Sequence, residues 1–223
     1  MIDCVPEARA WCSAVAEILG LEAPKQATII VHDEPGVART EGQRIHLYGR
    51  PEGGVDVDQL PHELVHLVAG VSPTRFVSEG LAVHVAAELG LGQPCWPSYL
   101  LKPTTWVVAQ RLRGVEPPTL DELIDRSQSL SVTAAMRVGP KAVEAAWTLY
   151  IAAGAFVGHL FESLPRDEFW EGYRRGGFWS DAKHLTTLEQ GWLAALPAGL
   201  DPGDEALLAD SLACSRRQLS REL

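Results

Sequence analysis

Residues 60–84 read LPHELVHLVAGVSPTRFVSEGLAVH, and this stretch decides how the chain is organised. Apolar residues at Leu60, Leu64 and Leu67 recur at helical spacing, which predicts a helix that ends at Gly70. A second helix is predicted from about Pro73 to Leu89. Because Gly70 and Pro73 let the chain turn back, the second helix is expected to lie against the first.

The first helix contains the pattern HExxH at His62, Glu63 and His66. Residues four apart lie on the same face of a helix, so both imidazoles can bind one metal ion. Glu63 lies about 100° around the axis from His62 and can reach a water on that ion without binding it. Zinc would lower the pKa of this water towards about 7, and Glu63 could then accept its proton. The alternative is an ordinary helix that contains the pattern by chance.

A third protein ligand would complete such a site, and Glu79, His84 and Glu88 are the nearby candidates. Glu79 is favoured because it falls early in the returning helix, where it can face the first helix. His84 lies about 140° around the axis from Glu79, so the two cannot easily face the same ion. The alternative for His84 is a histidine on the helix surface or one that only supports the ligands.

The rest of the chain predicts an α+β fold with a small sheet followed by helices. Strands are expected at ATIIVHD (27–33) and QRIHLYG (43–49), after a helix over 6–19 that Gly20 ends. Asp58 is a candidate helix cap, and Thr119–Glu122 and Thr187–Gln190 have the spacing of capping boxes. Further helices are expected near TTWVVAQRL, over 140–164 and 165–175, and in the last twenty residues. We expect a single domain over 1–223, with an N-terminal lobe (1–70) and a helical lobe (71–223).

Composition excludes several classes of partner. The 223 residues are 46% hydrophobic and carry a net charge of −10, which argues against nucleic acid or an anionic membrane. No secretory signal and no membrane-spanning segment is expected. The four cysteines, Cys4, Cys12, Cys95 and Cys214, form no CxxC pattern, so free thiols in a cytoplasmic protein are expected.

HELVH followed by FVSEGLAVH resembles the gluzincin metallopeptidases, specifically the peptidase MA-like group, in which a glutamate follows HExxH on the next helix. The similarity extends from about residue 27 to 196. ATIIVHD and RIHLYG resemble the strands before the motif helix. YIAAGAFVGHLFESLPRDEFWEGYRRG and TLEQGWLAAL resemble the later helices. The resemblance implies a zincin-like fold that binds Zn²⁺ through His62, His66 and Glu79, with Glu63 as the general base.

Two further features are candidates for contacts with substrate. Tyr150 could donate a hydrogen bond to the carbonyl oxygen that becomes negative during peptide hydrolysis, or it could simply pack among the helices. Strand residues Arg44–Tyr48 (Arg44, Ile45, His46, Leu47 and Tyr48) could form a sheet edge that an extended peptide joins, or a plain edge strand.

These observations together predict a zinc peptidase that acts on a peptide or protein substrate. Two other hypotheses remain open: a zincin-like binding or scaffold protein without activity, and a zinc hydrolase of a non-peptide amide.

Overall fold

A computed structural model describes residues 7–49, 54–55, 57–90, 102–129, 135 and 138–209. The elements in chain order are α1 (Ala8–Leu19), β1 (Thr28–Pro35), β2 (Arg39–Glu41), β3 (Arg44–Gly49), α2 (Leu60–Ala69), α3 (Arg75–Glu88), α4 (Pro103–Leu112), α5 (Leu120–Ser129), α6 (Pro140–Ser163), α7 (Arg166–Arg175) and α8 (Ala182–Ala195). Residues 202–209 are also helical. The predicted α+β arrangement, with a small N-terminal sheet and a mainly helical remainder, is therefore confirmed.

The sheet has the order β1-β3-β2. β3 is parallel to β1 and antiparallel to β2. A two-residue turn joins β2 to β3, and it needs the positive φ of 60° that Gly42 adopts.

The prediction that Arg44, Ile45, His46, Leu47 and Tyr48 form a sheet edge is wrong, because β3 is the central strand. Residues 39–41 lack alternating apolar residues, so β2 was not expected as a strand. β2 is the edge strand that lies beside α2, and Thr40 contacts Glu63 from it.

Helix starts are only partly those predicted. The N-cap position of α2 is Gln59, so Asp58 does not hold that position. The Thr119–Glu122 capping box is confirmed, with reciprocal side chain–backbone hydrogen bonds of 3.1 and 3.3 Å. The Thr187 box is wrong, because α8 begins earlier: Asp181 accepts a hydrogen bond of 2.9 Å from the His184 backbone N–H. Thr187 lies inside that helix and donates to the Lys183 carbonyl.

The main core forms where α3 packs across α6. Phe76 of α3 lies 5.9 Å from Phe156 of α6, between ring centroids, and Phe156 contacts Trp192 of α8 at 5.6 Å. The two helices approach closely at glycine: a Cβ on Gly80 would lie 2.7 Å from the Ala153 carbonyl oxygen. The burial of these aromatic side chains fixes α3, and therefore the residues that it carries, against α6.

α6 is long and apolar enough to cross a membrane by length and composition, which the sequence analysis did not expect. Its most apolar window is 71% buried against the rest of the protein. This burial is the pattern of a core helix, since lipid would have to replace contacts that the fold already makes.

The predicted free thiol is found at Cys12, which is buried in α1. Burial raises the pKa of this thiol, so it is an unreactive core residue. Cys4, Cys95 and Cys214 lie outside the described residues.

Candidate metal centre

Three donor atoms from two helices converge at the point predicted from the sequence. His62 and His66 lie one turn apart on α2, and their Nε2 atoms are 3.2 Å apart. Glu79 of α3 brings its Oε2 to 3.0 Å from His62 Nε2 and 3.5 Å from His66 Nε2. All three side chains are largely buried, with exposed fractions of 14%, 10% and 19%.

This geometry fits a divalent metal ion. Ligand atoms bound tetrahedrally to zinc at about 2.0–2.1 Å lie about 3.3 Å from one another. The separations of 3.0, 3.2 and 3.5 Å bracket that value. Two imidazole nitrogens and one carboxylate oxygen are also the donor set of many catalytic zinc sites. His62, His66 and Glu79 could therefore hold such an ion.

Electrostatics favour an ionised carboxylate between the two imidazoles. Burial alone would raise the pKa of Glu79, but hydrogen bonds and charge from His62 and His66 outweigh it, and the pKa falls well below its usual range. Burial would lower the pKa of His66, but its contact with Glu79 raises it overall. Because a metal ion binds the unprotonated imidazole, the raised pKa of His66 would oppose metal binding at acidic pH.

Glu63 is 5% exposed and lies on the sheet side of α2. The Thr40 hydroxyl lies 2.8 Å from Glu63 Oε2 and 2.9 Å from the Glu63 backbone carbonyl oxygen. Because a threonine hydroxyl has one proton, the two oxygens share it or compete for it. This contact from β2 restrains the carboxylate, and no sequence pattern predicts it.

Two further residues of α3 contact the side chains of Glu79 and His66 on atoms other than the three convergent donors. Arg75 Nε lies 3.5 Å from Glu79 Oε1, an ion-pair contact on the oxygen that faces away from the histidines. Ser78 Oγ lies 3.3 Å from His66 Nδ1 and can orient that ring. The sequence pattern did not single out either residue. Arg75 lies one helical turn before Glu79, so helical spacing could have predicted their contact.

Tyr150 lies near this cluster, as proposed from the sequence. A small pocket is lined by Glu79, Arg75 and Tyr150, together with Phe76, Ser127 and Leu149. The Tyr150 side chain is buried, and burial followed by the charge of Glu79 raises the pKa of its phenol. The hydroxyl therefore keeps its proton at neutral pH and can donate a hydrogen bond.

The other candidates for metal or substrate binding lie elsewhere. His84 and Glu88 belong to a separate group with Glu162, and His84 is buried rather than on the helix surface. His46 Nδ1 is 2.9 Å from His32 Nε2 on the sheet, and the ring of His32 stacks on Tyr48.

The fold is α+β, and its paired helices α2 and α3 bring together three donors that could hold a metal ion. No family model, curated protein or solved structure matches the chain.

Proposed function

We propose that this protein is a zinc-dependent peptidase of the gluzincin type. The observation that carries the proposal is the convergence of His62, His66 and Glu79 on one point, with the buried carboxylate of Glu63 on the same helix. A three-ligand set leaves zinc a coordination position for catalysis, whereas purely structural zinc sites use four protein ligands.

Zinc, when bound, makes water nucleophilic near neutral pH and polarises the carbonyl group of the substrate. Glu63 accepts the proton of the attacking water as the new C–O bond forms. It then passes that proton to the amine nitrogen as the C–N bond breaks. The Thr40 hydroxyl holds Glu63 in position for both transfers.

Two other elements support a peptide substrate. Tyr150 can donate a hydrogen bond to the carbonyl oxygen as negative charge develops there. β2 lies at the edge of the sheet and next to Glu63, so an extended chain can add to its backbone hydrogen bonds beside the general base.

The proposal is tested with wild type, Glu63→Gln and the matched control Glu171→Gln on a mixed peptide library. Glu171 is suited as the control because its side chain is 78% exposed on α7. We expect cleavage by wild type and control, a loss of about 10²–10⁴-fold in Glu63→Gln, and equal zinc contents in all three proteins.

Other outcomes separate the rival functions. Zinc in all three proteins with no cleavage of any peptide would favour the binding or scaffold hypothesis. Cleavage of small non-peptide amides alone, again dependent on Glu63, would favour the amide hydrolase. Absence of zinc from wild type after expression in zinc-supplemented medium would overturn the proposal.

A further inference from the structure

A second cluster of metal-ligating side chains lies further along α3. His84 and Glu88 are one helical turn apart on α3, and Glu162 comes from the C-terminal part of α6. One donor atom from each residue lies within 4.8 Å of the other two. His84 Nε2 is 3.9 Å from Glu162 Oε1, which is too long for a hydrogen bond but short enough for both atoms to contact one ion.

The imidazole of His84 is built into the crossing of the two helices. Its side chain is 8% exposed, and its ring packs on Phe161 with 5.7 Å between centroids. A Cβ on Gly158 would lie 2.3 Å from His84 Nδ1, so only glycine leaves room for the ring. The ring is therefore held with Nε2 towards Glu162.

The chemistry of the buried ring suits a metal ligand. Burial lowers the pKa of His84, although Glu162 and Glu88 oppose the shift, and this direction favours the neutral imidazole. A neutral imidazole has a free lone pair, which is the form that binds metals.

The two carboxylates already attract a cation. Lys102, just before α4, places Nζ 2.9 Å from Glu88 Oε1. The Lys102 side chain is 63% exposed, so it can leave this position. An ammonium group can at most donate a hydrogen bond to the lone pair of His84, whereas a divalent ion can be coordinated by the imidazole and both carboxylates.

We propose that His84, Glu88 and Glu162 form a second divalent-cation site, for zinc or an ion of similar ligand preference, with Lys102 as its competitor. The ion links the C-terminal half of α3 to α6. This inference does not depend on the peptidase proposal, because its residues are distinct from His62, His66 and Glu79.

The test is a Zn²⁺ titration of the full-length chain in competition with a chromophoric chelator. His66→Ala removes a donor from the first centre and serves as the background. We expect two equivalents of zinc in wild type and one in His66→Ala. Adding Glu162→Gln to that background should weaken the remaining site at least about tenfold. Adding Glu171→Gln should change nothing.

Lys102→Met should change the zinc affinity of the second site in the direction opposite to Glu162→Gln. Removing the competing ammonium should tighten zinc binding several-fold in the His66→Ala background, whereas a simple loss of stability would weaken it. Glu162 is suited to the test because its side chain is 68% exposed, so its amide variant should fold. Zinc should also raise the melting temperature of His66→Ala and not that of His66→Ala/Glu162→Gln.

Two outcomes would overturn the inference. One is the absence of a second equivalent in wild type and in Lys102→Met. The other is a second equivalent that Glu162→Gln and His84→Ala both leave unchanged, which would place the ion elsewhere on the acidic surface.

Discussion

The two clusters that include residues of α3 have similar arrangements of side chains but differ in the cationic side chains that contact them. Each has two candidate ligands one turn apart on one helix and a carboxylate from another helix. At the first, Arg75 contacts the outer oxygen of Glu79 and leaves the inner oxygen to the histidines. At the second, Lys102 pairs with Glu88 directly, and we propose that it competes with a metal ion for the cluster.

Exposure separates the clusters further. The side chain of Glu79 is 19% exposed, while that of Glu162 is 68% exposed. A buried ligand set holds its geometry and suits catalysis, because the protein does not need to reorganise. An exposed carboxylate must give up side-chain freedom to bind, which suits a weaker link between helices.

The largest effect is expected from breaking the first cluster. His62→Ala should lower the zinc content by one equivalent and the proposed peptidase activity by at least about 100-fold, because it removes one of the three proposed ligands. Metal analysis after dialysis and a peptide-hydrolysis assay measure the two effects. The exposed His184→Ala serves as control, and equal loss in both variants would argue against the assigned centre.

The next effect concerns the contact between the sheet and Glu63, the proposed general base. Thr40→Val should lower kcat about 10- to 100-fold with zinc content unchanged, because a hydrogen bond to a charged group is lost. Steady-state kinetics and metal analysis test this. Thr40→Ser retains the hydroxyl and should stay close to wild type; an equal loss in the serine variant would mean that the methyl packing matters instead.

The two cations should act in opposite directions. Arg75→Met should weaken zinc binding at the first centre about tenfold, because Glu79 loses the group that orients it. The exposed Arg175→Met is the control, since Arg175 lies on the surface of α7, where it contacts Glu171 at 3.9 Å and donates to the Gly177 backbone carbonyl. Chelator competition measures both, and tighter binding in Arg75→Met would show that Arg75 competes, as Lys102 is proposed to do.

The smallest expected effect is a difference between His66 and His84 in how each affects the pH dependence of stability when metal is removed. Burial alone would lower the pKa of His66, but its contact with Glu79 outweighs burial and raises the pKa above the ordinary 6.5. The protonated ring therefore stabilises the fold below pH 6.5, and this stabilisation is lost as the pH rises through the raised pKa. Burial lowers the pKa of His84. The stability that the neutral ring contributes is therefore present above pH 6.5 and is lost as the pH falls through the lowered pKa.

Melting temperatures in a chelator, at pH 5.5 and 7.5, compare wild type with His66→Gln and His84→Gln. We expect His66→Gln to lose more stability at pH 5.5 and His84→Gln to lose more at pH 7.5, each by a few degrees. The same pH dependence in both variants would contradict the assigned surroundings of the two rings.

Local spacing was enough to predict much of the fold and the first cluster. The apolar period of 60–69 and the turn signals at Gly70 and Pro73 predicted two adjacent helices, and helical angles selected Glu79 over His84. The helix starts were less predictable, because the Thr187 pattern matches a capping box but falls inside α8.

Contacts between distant segments could not be predicted from spacing. Thr40 reaches Glu63 only because β2 joins the sheet as a short, polar edge strand that periodicity does not indicate. Glu162 meets His84 because glycines set how α3 crosses α6, and a single sequence does not show that crossing.

The close packing at Gly80 has a consequence for altering this protein in the laboratory. Gly80 follows Glu79, and a side chain there would collide with the Ala153 backbone; Gly154 faces Val83 with a comparable 2.7 Å. Saturation mutagenesis aimed at new substrate preferences would therefore produce many unfolded variants at Gly80 and Gly154, where α3 packs against α6. β2, which is exposed at Arg39 and Glu41, offers positions where library diversity costs less.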